Sequence, residues 1–178
     1  MTRIFYDTEF IEDGHTIDLI SIGMVRESDG AELYLVNRDM PIRRIRKHAW
    51  LMKNVVPSLP RGHGDRRNHM PQAWLFDYCD PMVKRREVIA TEVRRFIQDT
   101  PNAQLWAWYG AYDHVCLAQL FGPMVDLPGG VPMWTNDLQQ EAARLGNPQM
   151  PEQPAGVHNA LADARHNRVR AHFLDSLA

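Results

Sequence analysis

Three β-type runs separated by tight turns fill the first 36 residues and constrain the fold more than any other stretch. From Arg3 to Phe10, Ile4, Tyr6 and Thr8 alternate with Phe5, Asp7 and Glu9, the period of two that a strand requires. Gly14 marks a turn before a second apolar run, Ile17 to Val25. Asp29-Gly30 is a turn signal before a third, Ala31 to Val36. The expectation is an antiparallel three-strand meander whose first strand carries two acids on one face.

Helical patterns follow. Pro41 to Val56 has helix-like stretches, and Pro57 to Gln72, rich in Pro, Gly, Arg and His, has the composition of a mobile loop. Asp80-Pro81 predicts a helix start, with Met82, Ile89, Val93, Phe96 and Ile97 on one face and Pro101 beyond the end. Gln104 to Tyr109 predicts a short strand, and about Tyr112 to Phe121 a helix stopped by Gly122-Pro123. Asn136 with Gln139 resembles a capping box for a helix ending at Gly146. After a Pro-rich crossing, Pro148 to Pro154, a last helix is expected from about Asn159 to Leu177. This order predicts an α/β fold, with a mixed central sheet that contains the antiparallel meander and is flanked by helices. With 178 residues, a single domain spanning 1–178 is expected, carrying a basic helix/loop insertion at about 38–72.

Composition narrows the class. No apolar run approaches the roughly 18 residues a membrane span needs, so no membrane partner is expected. The opening Arg3-Ile4-Phe5-Tyr6-Asp7 has no leader character, and two cysteines, Cys79 and Cys116, supply no disulfide framework. A reducing, cytoplasmic location is expected, with both thiols as small buried hydrophobes. The net charge of -2 conceals an asymmetry: Arg38 to Arg67 holds nine basic residues against two acids, leaving the remainder strongly acidic. An acidic body with a basic arm suits a protein that binds metals with the first and phosphates with the second. A merely solvated loop is the alternative.

Five residues carry the chemistry. Asp7 and Glu9, two apart on a strand, project side by side about 6–7 Å apart. Two acids on an otherwise buried strand are costly unless a cation compensates them; an edge strand with a wet outer face would also explain them. Asp113 follows Tyr109-Gly110-Ala111-Tyr112 at a strand-to-helix junction, where α/β proteins place chemistry and where the helix dipole also favours a plain acid. His158-Asn159-Ala160-Leu161-Ala162-Asp163 is the sharpest local pattern. Asn159 caps the helix, His158 precedes it, and Asp163 shares a face with Ala160, Ala164 and Ala171, which permit close approach to a sheet. Together, four carboxylates and one imidazole suit two divalent ions about 3.5–4 Å apart and a hydrolytic water. Oxygen donors select Mg²⁺, with Mn²⁺ as substitute, and a histidine of reference pKa about 6.5 can take a proton from water.

The pattern Asp7-x-Glu9, Asp113 and His158-x₄-Asp163 resembles the DEDDh branch of the DnaQ-like 3′–5′ exonucleases, over essentially the whole chain. That resemblance implies a ribonuclease H-like fold, with Asp7, Glu9, Asp113 and Asp163 as metal ligands and His158 as general base. It also implies that Thr8 and Phe10 meet the terminal nucleotide. The Asp7-Thr8-Glu9-Phe10 opening, the Trp106 to Asp113 stretch and His158 to Asp163 resemble more closely still a polyadenylate-specific 3′-exoribonuclease group. That likeness implies a homodimer acting on single-stranded, adenylate-rich RNA with two Mg²⁺ ions. Phe10 stands where oligoribonucleases and proofreading subunits usually carry Met or Thr, so their substrate rules are not carried over to this chain.

In the basic arm, Arg43, Arg44 and Arg46 lie beside His48 and Trp50, an aromatic-plus-basic cluster that suits single-stranded RNA. Trp106 and Trp108 share one strand face and are either core or base-stacking residues. A DNA exonuclease of the proofreading type is the rival within enzymes, and a non-catalytic RNA-binding module the rival outside them.

Overall fold

The computed structural model describes residues 1–64 and 74–178. The strands are β1 (Thr2–Glu12), β2 (Ile17–Arg26), β3 (Glu32–Asn37), β4 (Val83–Lys84), β5 (Ala103–Ala107) and β6 (Asn136–Asp137). They form a six-stranded mixed sheet in the order β4-β3-β2-β1-β5-β6. The expected meander is present: β1 pairs with β2 and β2 with β3, both antiparallel. The parallel β1–β5 pairing needs a crossover, and helix α3 (Arg86–Gln98) supplies it. The other helices are α1 (Ile42–Ile45), α2 (Ala49–Asn54), α4 (Gly110–Ala118), α5 (Leu138–Arg144) and α6 (Ala160–Asp175).

Alternation along β1 sorts the core into two layers. Ile4 and Tyr6 pack with Ile89, Val93, Ile97, Cys116 and Leu117 of α3 and α4. Phe5 faces the other way, against Leu138, Ala142, Ala171 and Leu174 of α5 and α6. Asp7 and Glu9 continue this second face. The β1–β2 register slips between Glu9 and Phe10: Glu9 opposes Ser21 while Phe10 opposes Leu19. A bulge there re-aims the chain just past the two acids.

The described part of the basic arm is anchored to the sheet. Ile45, Leu51, Val55, Val56, Leu59, Trp74 and Phe76 form a third apolar cluster with Ile11, Ile20 and Val36 of the sheet. Burying Ile45, Val55 and Val56 completely contributes about 1.5–3 kcal/mol each. The mobile loop expected over 57–72 falls partly outside the described residues, which resume at Trp74. Its described start is ordered by a short turn over Val56–Ser58 and a bridge between Arg61 and Phe76.

Three expectations need correction. Asp80-Pro81 does not start a helix. The Asp80 carboxylate accepts from the Met82 amide, Val83–Lys84 joins the sheet beside Val36–Asn37, and α3 begins at Arg86. Its cap is remote, because Asp39 Oδ2 accepts from the Arg86 amide at 2.9 Å. Asp137, not Asn136, caps α5 by accepting from the Gln139 amide, while Asn136 belongs to β6 and donates to the Leu105 carbonyl. Cys79 is exposed, whereas Cys116 is buried as expected.

Candidate active site

The site depends on how closely α6 approaches the sheet. Gly23 on β2 lies opposite Asp7, and a Cβ there would sit 2.3 Å from the Leu161 amide nitrogen and 2.4 Å from the Ala160 carbonyl. The fully buried Ala160 and Ala164 complete that contact. As a result the start of α6 rides on bare β2 backbone, and Asp163 faces Glu9.

His158 is held from several sides. Asn159 caps α6 by accepting from the Ala162 amide, and its own side-chain amide donates to Tyr34 Oη at 3.3 Å. His158 has φ +65°, a left-handed conformation that non-glycine residues rarely adopt. Its backbone N–H donates to Asp163 Oδ2 at 2.9 Å, its carbonyl accepts from Ser58 Oγ, and its ring meets Trp50 edge-to-face at 4.8 Å.

Glu9, His158 and Asp163 each offer a ligand atom within 4.8 Å of the others. They line a cleft of about 360 Å³ together with Asp7, Thr8, Phe10, His48 and Trp50. Asp113 lies behind this surface, 5% exposed, with Oδ1 accepting from the Thr8 amide at 2.8 Å and from Thr8 Oγ1 at 2.6 Å. Of the five residues singled out by sequence, four therefore meet at the cleft and the fifth backs the strand that carries two of them.

Electrostatics describe a cluster of acids that disfavour one another's ionisation. Burial, then the nearby Asp163 and Asp113, pushes the Glu9 carboxyl up to about 8. Asp7 is pushed well above the usual carboxylate range by burial and by Asp113, Glu9 and Asp163. Burial also raises Asp113 against the pull of the Thr8 hydrogen bonds, and raises Asp163 against those from Gln153 and the His158 amide. Four acids that resist ionising together become comfortable as carboxylates once a divalent cation is present. A donor set of carboxylate oxygens, with no thiolate among them, fits Mg²⁺ or Mn²⁺.

The predicted substrate contacts divide. Phe10 lines the cleft, stacked on the exposed Tyr112 at 6.2 Å, and Trp50 lines it at 49% exposure. Thr8 reaches the cleft but spends its hydroxyl on Asp113. Arg43 is exposed. Arg44 is engaged by Asp13 and Asp18 across the β1–β2 hairpin, and Arg46 donates to the Trp74 carbonyl. None of the three arginines lines the cleft. Trp106 and Trp108 pack in the α5–α6 layer, the core alternative.

Sequence reasoning missed Gln153, which donates to Asp163 Oδ1 at 2.6 Å from the Pro-rich crossing, where no periodicity marks it. It also missed Ser58 beneath His158, and Arg170 on α6.

A family model for the 3′–5′ exoribonuclease Rv2179c-like domain matches residues 74–174. Two Mycobacterium tuberculosis proteins are similar over nearly the whole chain: 3′–5′ exoribonuclease Rv2179c of strain ATCC 25618/H37Rv and 3′–5′ exoribonuclease MT2234.1 of strain CDC 1551/Oshkosh. Each is 43% identical over 176 residues, covering 98% of this chain and 94% of its own length. Among solved structures, the metal-free E. coli ExoI–ssDNA complex superposes with a TM-score of 0.55 at 13% identity. That match covers 98% of this chain but only 40% of ExoI, and it bears on the fold alone.

Proposed function

The chain belongs to the Rv2179c-like 3′–5′ exoribonuclease family, and we propose that it removes nucleoside 5′-monophosphates one at a time from the 3′ ends of single-stranded RNA. Its sheet and helices have the ribonuclease H-like exonuclease arrangement. The observation that carries the proposal is the convergence of Glu9, His158 and Asp163 on one cleft with Asp7, among carboxyls that resist sharing negative charge.

Asp7, Glu9, Asp113 and Asp163 would hold two divalent ions. Bound there, the ions would neutralise the carboxylates and favour charge developing on the attacking and leaving oxygens. The chain's own side chains do the rest. A ring nitrogen of His158 accepts a proton from the attacking water, whose oxygen joins phosphorus as the bond to the 3′ oxygen of the preceding nucleotide breaks. That 3′ oxygen leaves as an alkoxide and takes up a proton from solvent, and the released nucleotide keeps the 5′ phosphate. The Trp50 ring and the hydrogen bond from the His158 backbone N–H to Asp163 hold the imidazole in place. Phe10 and Trp50 offer aromatic surface to the terminal bases.

Adenylate-rich ends, Mg²⁺ with Mn²⁺ substituting, and a homodimer are supported by the resemblance drawn from the motifs. The test is digestion of 5′-labelled oligomers of A, U and C, with matched DNA. The expected result is stepwise shortening of RNA from the 3′ end with release of the matching nucleoside 5′-monophosphate, fastest on oligo(A). Preferential digestion of DNA, or internal cleavage, would overturn the proposal.

A further inference from the structure

Resting on that metal-centre reading, we infer that Arg170 is the resident counter-cation of the carboxylate cluster, holding Asp7 and Asp163 in register while no divalent ion is bound. Arg170 follows Asp163 by seven residues on α6, two helical turns, so the two side chains lie on one face. Its guanidinium stands 4.5 Å from the ring centroid of Trp108, which fixes its plane.

From there the contacts lead to the metal-binding strand. Arg170 Nη1 donates to Asn167 Oδ1 at 2.9 Å, and the fully buried Asn167 donates Nδ2 to the Tyr6 carbonyl at 3.0 Å. Tyr6 is the residue immediately before Asp7, so one side-chain relay ties the arginine to the backbone that carries the acid. Arg170 makes no direct ion pair with Asp7 or Asp163 among the described residues, and its charge acts on both from a distance, as the smallest of the influences on each.

The arrangement is expensive if it serves packing alone. The Arg170 Nε–H is buried without a hydrogen-bond partner among the described residues, and an apolar side chain would fill the same space over Trp108 without that cost. A permanent positive charge on the helix face that also carries Asp163 gives the position a reason, since arginine cannot shed its proton. Metal-binding proteins must exist for part of their time without metal. A fixed guanidinium relieves the repulsion that would otherwise part β1 from α6.

The linkage consequence is specific. A cation that favours the metal-free state competes with metal, so its removal must destabilise the metal-free protein more than the loaded one and tighten metal binding. The test compares wild type, R170Q and R170K by melting in EDTA and in saturating Mg²⁺, with Mg²⁺ affinity from calorimetry. R170Q is expected to lose about 4 °C or more in EDTA, to recover that loss in Mg²⁺, and to bind Mg²⁺ about fivefold tighter or more. R170K, which keeps the charge, is expected to recover most of the EDTA loss. Equal losses with and without Mg²⁺, failure of R170Q to fold in either condition, or R170K no better than R170Q would each reduce Arg170 to a packing residue. A wild type that binds neither Mg²⁺ nor Mn²⁺ would instead overturn the metal-centre reading beneath it.

Discussion

Replacing Gly23 with alanine places a Cβ 2.3 Å from the Leu161 amide nitrogen and 2.4 Å from the Ala160 carbonyl carbon and oxygen. Ordinary contact for a Cβ begins at 3.4 Å, and every obstructing atom is helix backbone, so no rotamer change gives relief. The first turn of α6 must therefore retreat by roughly 1 Å, which overpacking measurements put at about 1–3 kcal/mol. For a chain of this size that lowers the melting temperature by roughly 2–12 °C. The larger effect falls on chemistry. Asp163 and the His158 amide bonded to it travel with α6 while Glu9 stays on β1, and a misplacement of about 1 Å can cost roughly 10²-fold in rate. The assay is kcat/KM on oligo(A) together with calorimetric melting. G129A serves as control, because a Cβ at Gly129 meets nothing within 4 Å. Wild-type rate and melting in G23A would refute the claim that α6 is seated on bare β2 backbone. A lower melting temperature with full activity would refute its role in aligning the site.

In EDTA the protein should become less stable as pH rises from about 5 to about 8. Glu9 has a folded value near 8 against an ordinary 4.5, so the folded state holds a proton that the unfolded state releases first, and stability drains away across that window. The shift sets an upper limit on the order of 5 kcal/mol, saturating Mg²⁺ should abolish the dependence, and pH-independent melting in EDTA would contradict it. D163N should lower kcat by about 10²-fold or more while RNA binding persists in a filter assay; a variant with near-normal kcat would remove Asp163 from the chemistry. Arg43→Ala should weaken RNA binding and reduce the salt slope by about one, whereas Arg44→Ala should instead loosen the β1–β2 hairpin that it bridges. Identical salt slopes for the two variants would show that the arginines of the arm are not divided in this way.

Much of the fold was legible because its determinants are local. The period of two in β1 put Asp7 and Glu9 on one face, and the Asn159 cap placed His158 and Asp163 on either side of a helix start. Local reasoning failed where the partner is remote in sequence. Asp80-Pro81 has the chemistry of a helix start, yet the carboxylate that accepts from the first turn of α3 is Asp39, and Val83 pairs with Val36 at the sheet edge. Arg44 reads as a free cation until the hairpin acids Asp13 and Asp18 fold against it. Gly23 has no signature inside an apolar strand, since its necessity comes from a helix more than 130 residues later. Arg170 was within reach: seven residues past Asp163 is the same helical face. Its meaning emerged only with Trp108 beneath it and Asn167 beside it.

The most direct test is a crystal of the protein with Mn²⁺ and a nucleoside 5′-monophosphate, read by anomalous scattering at the manganese edge. The account predicts two peaks in the cleft, ligated among Asp7, Glu9, Asp113 and Asp163, with the phosphate between the ions and the His158 ring. Anomalous density that avoids these carboxylates, or a monophosphate seated away from His158, would contradict it.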